Sequence, residues 1–216
     1  MALVHDFNDL LNIAGLSPFQ KTVIRENVLM LRLMISRVSV TRTDYFEAIE
    51  EIEGFISTKR ENISEDFLYR ISFACTEGLL LFGELSLAAK WIVRIQKSKQ
   101  SPFRPGISAA AWMMYFLIRY EQGAWDILRS QLSGGKAYLN KYEAGNEYYT
   151  ALFSFFENAA KLNGNIGKKE FSSLHSTLHD LIEHPQYALL ENYFYFSAWL
   201  VSKIQGLPFL SFMEDS

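Results

Sequence analysis

Two histidines one helical turn apart are the residues with the clearest potential for chemistry. His175 and His179 are four residues apart, a spacing that places two imidazoles on one face of a helix. Two imidazoles can serve as two of the ligands of a zinc ion. A zinc protease would carry glutamate directly after the first histidine, but Ser176 stands there. With no obvious third ligand, we expect solvated or packing roles and no bound metal, and a metal-dependent enzyme is the least favoured function.

Two further segments could suggest catalysis but have simpler interpretations. Gly134-Gly135-Lys136 resembles the end of a phosphate-binding loop, yet the earlier glycine of that motif is missing, so we expect a hairpin loop. A group of acidic residues is expected to form the solvated face near the N-terminus of a helix: Glu47, Glu50, Glu51 and Glu53. We therefore expect no catalytic residue and no cofactor, and we expect that the protein is not an enzyme.

A run of basic residues could contact nucleic acid. The set comprises Lys90, Arg94, Lys97, Lys99 and Arg104, with Trp91 and Phe103 nearby. Cations in the last turn of a helix ordinarily interact with its terminal carbonyl groups and its dipole. Helical repeats can also bind RNA through basic stripes with adjacent aromatic rings. Because the net charge is −3, the chain has no overall attraction for polyanions. Nucleic-acid binding around Lys90 to Arg104 is therefore the alternative function, and nucleic acid is not the expected partner.

Aromatic residues are unusually dense in the last third of the chain. They are Tyr148, Tyr149, Phe153, Phe155 and Phe156, then Tyr193, Phe194, Tyr195, Phe196 and Trp199. Such runs populate more than one face of a helix, so not all of them can enter one core. We expect most to pack between helical hairpins, while the surplus could line a peptide groove or a dimer interface. The candidate partner-binding residues are Tyr148, Tyr149, Tyr193, Tyr195, Trp199, Lys90 and Arg94.

Composition favours a soluble protein with a sizeable core. The chain has 216 residues and is 49% hydrophobic. Its only cysteine, Cys75, lies in an apolar stretch and is expected to be a small buried hydrophobe. The start of the sequence lacks the basic and apolar regions of a secretory signal. The longest near-apolar run, 107–118, is shorter than the roughly 20 residues that span a membrane. We expect a cytoplasmic protein that does not enter a membrane.

The elements that must position these residues are all predicted to be helices. Apolar residues recur at helical rather than alternating spacing, and the prolines and glycines fall between these segments. The predicted helices lie near 3–14, 18–40, 44–58, 64–82, 84–98, 106–122, 124–137, 143–163, 169–184 and 186–205.

Local signals for helix starts and stops agree with this map. Two pairs resemble capping boxes, in which side chains satisfy free amides of the first turn: Asn62 with Glu65, and Asp44 with Glu47. Three glycines follow apolar helices, where a left-handed residue is needed and glycine adopts it without a Cβ clash: Gly83, Gly123 and Gly206.

One apolar pattern recurs four times along the chain. Apolar residues fall at offsets 0, 3, 7 and 10 from Tyr45, Leu85, Trp125 and Phe171, and only Gly135 breaks the pattern. These starts are 40, 40 and 46 residues apart. Because one hairpin cannot cover its own apolar face, neighbouring hairpins must stack. The sequence therefore predicts a single all-α domain over 1–206, an α-solenoid of about four to five stacked antiparallel hairpins.

The segments that open three of these copies resemble a known repeat family. They read Thr43-Asp44-Tyr45-Phe46-Glu47-Ala48, Gly83-Glu84-Leu85-Ser86-Leu87-Ala88 and Gly123-Ala124-Trp125-Asp126-Ile127-Leu128. They resemble the opening of the second helix of tetratricopeptide repeats. The stretch from Ala110 to Lys141 is similar to the hairpin arrays that end many tetratricopeptide-like proteins of Bacteroidetes. The period near 40 exceeds the roughly 34 residues of ordinary repeats, and Phe116 stands where a glycine would be expected.

The resemblance, which covers roughly 30 to 210, implies a protein–protein interaction scaffold. Family members hold partner proteins on a concave surface, and some bind chaperone tails through a clamp of lysines and asparagines. The corresponding positions here hold other residues: Leu33, Arg37, Phe73, Glu77, Met113 and Leu117. The expected partner is therefore another protein or peptide, with a homodimer as a further expectation.

The segment 207–216 is predicted to be an apolar tail that caps the array. Gly206 and Pro208 should stop the last helix and turn the chain. The terminal hairpin of a solenoid has no further neighbour, so its outer face must be polar or covered. We expect Phe209, Leu210 and Phe212 to fold back onto the aromatic face, in the same molecule or across a dimer.

Overall fold

The computed structural model describes residues 12–38, 41–59, 62–98 and 104–209, and these residues form helices and connecting turns without a strand. The helices are α1 (Pro18–Val38), α2 (Arg42–Lys59), α3 (Glu65–Leu81), α4 (Leu85–Gln96), α5 (Pro105–Glu121), α6 (Trp125–Tyr142), α7 (Glu147–Lys161), α8 (Lys168–Ile182) and α9 (Phe196–Gln205), with a 3-10 turn at Leu190–Asn192. The all-α class is thereby confirmed. Of the helix predicted near 3–14, positions 1–11 lie outside the described residues, and 12–16 are turns.

Helices that follow one another in the chain pack together: α1 packs on α2, and each helix from α3 to α8 packs on the next. The odd-numbered helices also pack on one another in sequence, from α1 to α3, α5 and α7. As a result α3 and α5 have helices on several sides, and most of their residues are buried. Helix α9 packs mainly on α8.

Four helices end on a residue in the left-handed conformation. The residues after α3, α5, α7 and α9 are Gly83, Gly123, Asn163 and Gly206, with φ angles of 74°, 63°, 49° and 73°. In each turn the next backbone N–H donates to the carbonyl five residues earlier, over 2.8 to 3.1 Å. The three glycines were predicted to end helices in this way, and that prediction is confirmed. Asn163 was not predicted, although asparagine is the second residue that tolerates this conformation.

Polar bonds between neighbouring pairs of helices join residues about 40 positions apart. The bonded pairs are Glu26 with Ser64, Asp66 with Arg104, Tyr69 with Ser108, Arg37 with Glu77, and Tyr149 with the Gly106 carbonyl. The separations within these pairs run from 38 to 43 residues. These bonds join α1 to α3, α3 to α5 and α5 to α7 at nearly the same sequence interval.

The capping residues differ from those predicted. Helix α3 begins after Ser64, whose hydroxyl accepts the Phe67 amide at 3.1 Å, so Asn62 is not the capping residue. The Ser64 hydroxyl and amide in turn donate to the buried carboxylate of Glu26. Asp44 lies inside the first turn of α2 and accepts from the Thr41 hydroxyl at 2.6 Å. Both capping-box predictions were therefore wrong.

The predicted loop at Gly134-Gly135-Lys136 is instead the middle of α6, which continues to Tyr142. Gly135 is buried against the ring of Phe116 from α5, and a Cβ atom at this position would overlap that ring. The glycine therefore allows α5 and α6 to approach closely. The loop prediction failed because glycine in sequence signals a turn more often than a close helix contact.

The predicted helix over 186–205 is also wrong in its first half, because α9 begins only at Phe196. The preceding segment consists of turns and the 3-10 turn. Pro185 disfavours helical backbone at the residue before it. Within the segment, the carboxylate of Glu191 accepts bonds from the hydroxyls of Tyr148 and Ser197. These bonds fix the irregular segment onto α7 and onto the first turn of α9.

Candidate partner-binding groove

Tyr148 and Tyr149, two of the predicted partner-binding residues, are buried in the core with 0% and 1% of their surface exposed. The hydroxyl of Tyr148 donates to Glu191, and the hydroxyl of Tyr149 donates to the Gly106 carbonyl at 3.3 Å. Burial raises the pKa of both hydroxyls well above the usual value, so they act as neutral donors. These tyrosines join α7 to its neighbours and present no surface to a partner in this conformation.

The other three predicted aromatic residues lie around α9. Tyr193 and Tyr195 are partly exposed, and the Tyr193 hydroxyl lies beside Gly106. Trp199 is only 2% exposed, yet it is one of the residues that line a groove. Of these three residues, Trp199 lines a concave part of the surface.

Lys90 and Arg94 are exposed on α4, as expected, but their surroundings do not favour nucleic acid. Trp91 is 1% exposed, and the Arg94 guanidinium covers its ring, with Arg94 Cζ 3.9 Å from the ring centre. This ring is therefore unable to stack on a base. The depression beside Arg94 and Lys97 is also lined by Glu53 and Glu65, so its charges balance and it has no net attraction for phosphate. Lys99 of the basic set and the nearby Phe103 lie outside the described residues.

The predicted histidine pair lies on α8 with its rings parallel and their centres 6.4 Å apart. Among the residues that the structure describes, no group of three or more histidine, cysteine, aspartate or glutamate side chains is arranged to hold a metal ion. Cys75 is fully buried, as the sequence predicted, and burial raises the pKa of its thiol.

A groove of about 450 Å³ lies where the turn between α3 and α4 meets α5 and α9. We call it the C-terminal groove. Its volume falls within the range of roughly 300–1,000 Å³ that is usual for ligand sites. Its lining residues are Arg42, Leu80, Leu81, Phe82, Gly83, Leu85, Leu117, Glu121, Trp199, Ser202, Lys203, Leu207, Pro208 and Phe209.

Packed aromatic rings support the floor of the groove. The Trp199 ring stacks on Phe156 with their centres 5.9 Å apart, and it contacts Tyr120, Phe155 and Phe171 edge to face. Leu117 and Leu81 are buried on the opposite side. Because these side chains are fixed by their neighbours, the apolar floor is formed before any partner arrives.

A carboxylate in the wall holds α9 against α5. Glu121 accepts a hydrogen bond from the Trp199 indole nitrogen at 2.7 Å. It also forms an ion pair with Lys203, whose Nζ lies 2.5 Å from the carboxylate. Its side chain is mostly buried, whereas that of Lys203 is about one-third exposed. The bonds that Glu121 accepts therefore connect α5 to α9 where both helices line the groove.

The rim of the groove is more accessible than its floor. The Arg42 guanidinium pairs with Glu84, and 61% of the Arg42 side chain is exposed. Exposed ion pairs of this kind contribute little to stability, so Arg42 can exchange its partner at small cost. Leu207, on the other side, is 49% exposed. The groove thus offers an apolar floor, an exposed cation and an exposed apolar side chain, which suits an extended peptide with apolar residues.

Sequence reasoning identified Trp199 and the apolar segment that starts at Leu207, but it did not identify Glu121 or Arg42. Glu121 lies 78 residues from Trp199 along the chain, and no local pattern relates them. Arg42 and Glu84 are 42 residues apart, close to the repeat interval, so the repeat register was the one signal that could have paired them.

No protein-family model matches the chain, and comparisons with curated proteins and with solved structures found no similar protein. Over the described residues, none of the helices combines the length and the apolar character that crossing a membrane requires.

Proposed function

We propose that the protein is a tetratricopeptide-like α-solenoid that acts as a protein–protein interaction scaffold and holds a partner peptide in the C-terminal groove. The observation that carries the proposal is the preformed apolar groove where α3, α5 and α9 meet. Sites of this kind combine an apolar surface with a few polar groups, and rigid aromatic side chains supply much of the binding energy.

The repeat interval supports the solenoid part of the proposal. The left-handed residues that end α3, α5, α7 and α9 are 40, 40 and 43 positions apart. The polar bonds between helix pairs span 38 to 43 residues. The four apolar columns fall on α2, α4, α6 and α8, the second helices of the pairs. Stacked hairpins with one structural unit per repeat account for all three intervals.

Nucleic-acid binding on α4 is the less favoured function. The Trp91 ring is covered, and the carboxylates of Glu53 and Glu65 lie near Arg94. These features weaken both base stacking and phosphate contact.

The proposal is tested by capturing proteins from the source cell with three versions of the chain. One is the wild type, one is a groove variant with Arg42→Glu and Leu207→Asp, and one is a control with Leu189→Asp. All three substituted side chains are exposed, at 61%, 49% and 70%, so the fold should persist. Leu189 matches Leu207 in type but does not line the groove.

We expect at least one protein to be retained by the wild type and the control and lost from the groove variant. A direct binding measurement with that purified partner should show the same order. Partners that bind all three versions equally would argue against this groove as the binding site. The absence of any partner lost from the groove variant would argue against the proposal as a whole.

A further inference from the structure

The chain itself leads directly into the C-terminal groove. Leu207, Pro208 and Phe209 line the groove, and the Phe209 ring packs on Phe194 with their centres 5.7 Å apart. The next positions, 210–216, read Leu-Ser-Phe-Met-Glu-Asp-Ser and lie outside the described residues. A segment of known sequence therefore starts at the wall of the groove.

The chemistry of this segment matches that of the groove. Its first half supplies three large apolar side chains, Leu210, Phe212 and Met213, and its second half supplies two carboxylates, Glu214 and Asp215. The groove is lined mainly by apolar side chains, with two cations, Arg42 and Lys203, and one carboxylate, Glu121, so its charged groups leave a net positive charge. A guanidinium carries five N–H donors, so Arg42 can bind a second carboxylate while it remains paired with Glu84.

The length of the segment is also sufficient. Seven extended residues span up to about 23 Å. Arg42 and Phe209 both line the same groove of about 450 Å³, so a chain that leaves Phe209 can reach the guanidinium.

We propose that the C-terminal groove binds residues 210–216 of the same chain, with Phe212 and Met213 on the apolar floor and the carboxylates toward Arg42. This inference rests on the proposed function, because the segment then competes with the partner peptide for one site. An attached segment acts at an effective concentration in the millimolar range, so it excludes weak peptides and yields to tight ones.

The first test places a cysteine at each end of the proposed contact in the full chain. Arg42→Cys lies at the rim, and Ser216→Cys lies past the apolar part of the segment. Cys75 is fully buried, so it does not compete. We expect mild oxidation to form a disulfide within the monomer, at a rate about tenfold above that of a control pair, Leu189→Cys with Ser216→Cys.

If the disulfide joins two molecules instead, the groove binds the segment of a second copy, and the proposal is wrong. Equal rates for the two pairs would overturn it as well. Melting temperatures of the reduced cysteine variants close to that of the wild type show that the fold is intact.

The second test measures competition with a dye-labelled synthetic peptide that has the sequence of positions 210–216. A full chain with Phe212→Asp and Met213→Asp should bind the peptide at least about tenfold more tightly than the wild type, because its own segment no longer competes. A version of the peptide with both aspartates should not bind. If the variant and wild-type chains bind the peptide equally, or neither binds it, the proposal is wrong. Loss of cellular partners from the groove variant is a separate result, so either proposal can fail while the other stands.

Discussion

At the scale of single residues, buried carboxylates bond one part of the chain to another. Glu77 on α3 is almost fully buried and pairs with Arg37 on α1. Burial raises the pKa of its carboxyl group to about 7, against the lowering effect of the Arg37 charge. The hydroxyl of Tyr45, from α2, lies in the same region and donates to the carbonyls of Ala74 and Cys75. A group that titrates near neutral pH therefore lies where three helices meet.

The raised pKa of Glu77 predicts a pH dependence of stability. Between its unfolded pKa of 4.5 and its folded pKa of about 7, the folded protein binds more protons than the unfolded chain. The free energy of unfolding should therefore fall as pH rises through this window. Glu77→Gln should remove this part of the fall. Denaturant unfolding at about pH 5 and about pH 8 measures the fall in the free energy of unfolding for the wild type and for the variant. An equal fall in both proteins would contradict the assignment to Glu77.

Two adjacent glycines in α6 should respond differently to replacement by alanine. Gly135→Ala places a Cβ atom against the Phe116 ring, which we expect to destabilise the protein by about 1–3 kcal/mol. Gly134→Ala meets only the edge of Trp112, at 3.3 Å, on an exposed side of the helix. There the gain in helix propensity, about 1 kcal/mol, should offset the contact. Thermal unfolding of both variants compares them, and equal effects would show that the Phe116 contact is not limiting.

At the scale of helices, the recurring apolar columns lie on the buried sides of α2, α4, α6 and α8. The second position of each column is buried in every copy: Ala48, Ala88, Leu128 and Leu174. Small residues at two of these positions indicate close approach to a neighbouring helix, whereas leucine fills the same position in the later copies. The size of the side chain at this position therefore differs among the four helices, and we expect it to influence how closely each helix approaches its neighbour.

Enlarging a small column residue tests this packing. Ala88→Leu adds volume at a fully buried position on α4 and should cost about 1–3 kcal/mol. The matched control is Ala137→Leu, on the exposed side of α6, where little change is expected. Melting temperatures give the comparison. If Ala88→Leu has the same melting temperature as the wild type, α4 does not approach its neighbours closely at this point.

At the scale of the whole molecule, α9 is bonded to a helix far away in sequence. Glu121 at the end of α5 accepts bonds from Trp199 and Lys203, which lie 78 and 82 residues later. The same contact closes one side of the C-terminal groove. Glu121 therefore contributes both to the stability of the last helix, beside its packing on α8, and to the shape of the groove.

Removing that carboxylate should loosen α9. Glu121→Ala leaves Lys203 and the Trp199 nitrogen without their acceptor, which we expect to cost about 1–3 kcal/mol. Glu157→Ala is the control, because it breaks only the exposed pair with Lys161 and should cost about 0.3–0.5 kcal/mol. Unfolding by denaturant gives the energies, and hydrogen exchange of α9 locates the effect. Equal losses in the two variants would show that Glu121 does not hold α9.

Local patterns in the sequence determined the all-α class, most helix positions and three of the four left-handed helix ends. These features depend on residues close together in the chain: apolar spacing of one helical turn, and glycines directly after apolar helices. The fourth end, at Asn163, has a weaker local signal because asparagine adopts many turn conformations. The buried state of Cys75 followed from its apolar neighbours in the same way.

Only the tertiary structure decided which side chains meet. From the sequence Gly135 was predicted to lie in a loop, whereas in the structure it packs against the Phe116 ring within a helix. Tyr148 was predicted to be available to a partner, whereas its hydroxyl bonds to Glu191 in the core. The groove depends on three helices whose contacts span up to 82 residues. The periodicity of a helix is a local property of the chain, whereas a groove is set by the relative positions of helices, which packing of the whole core determines.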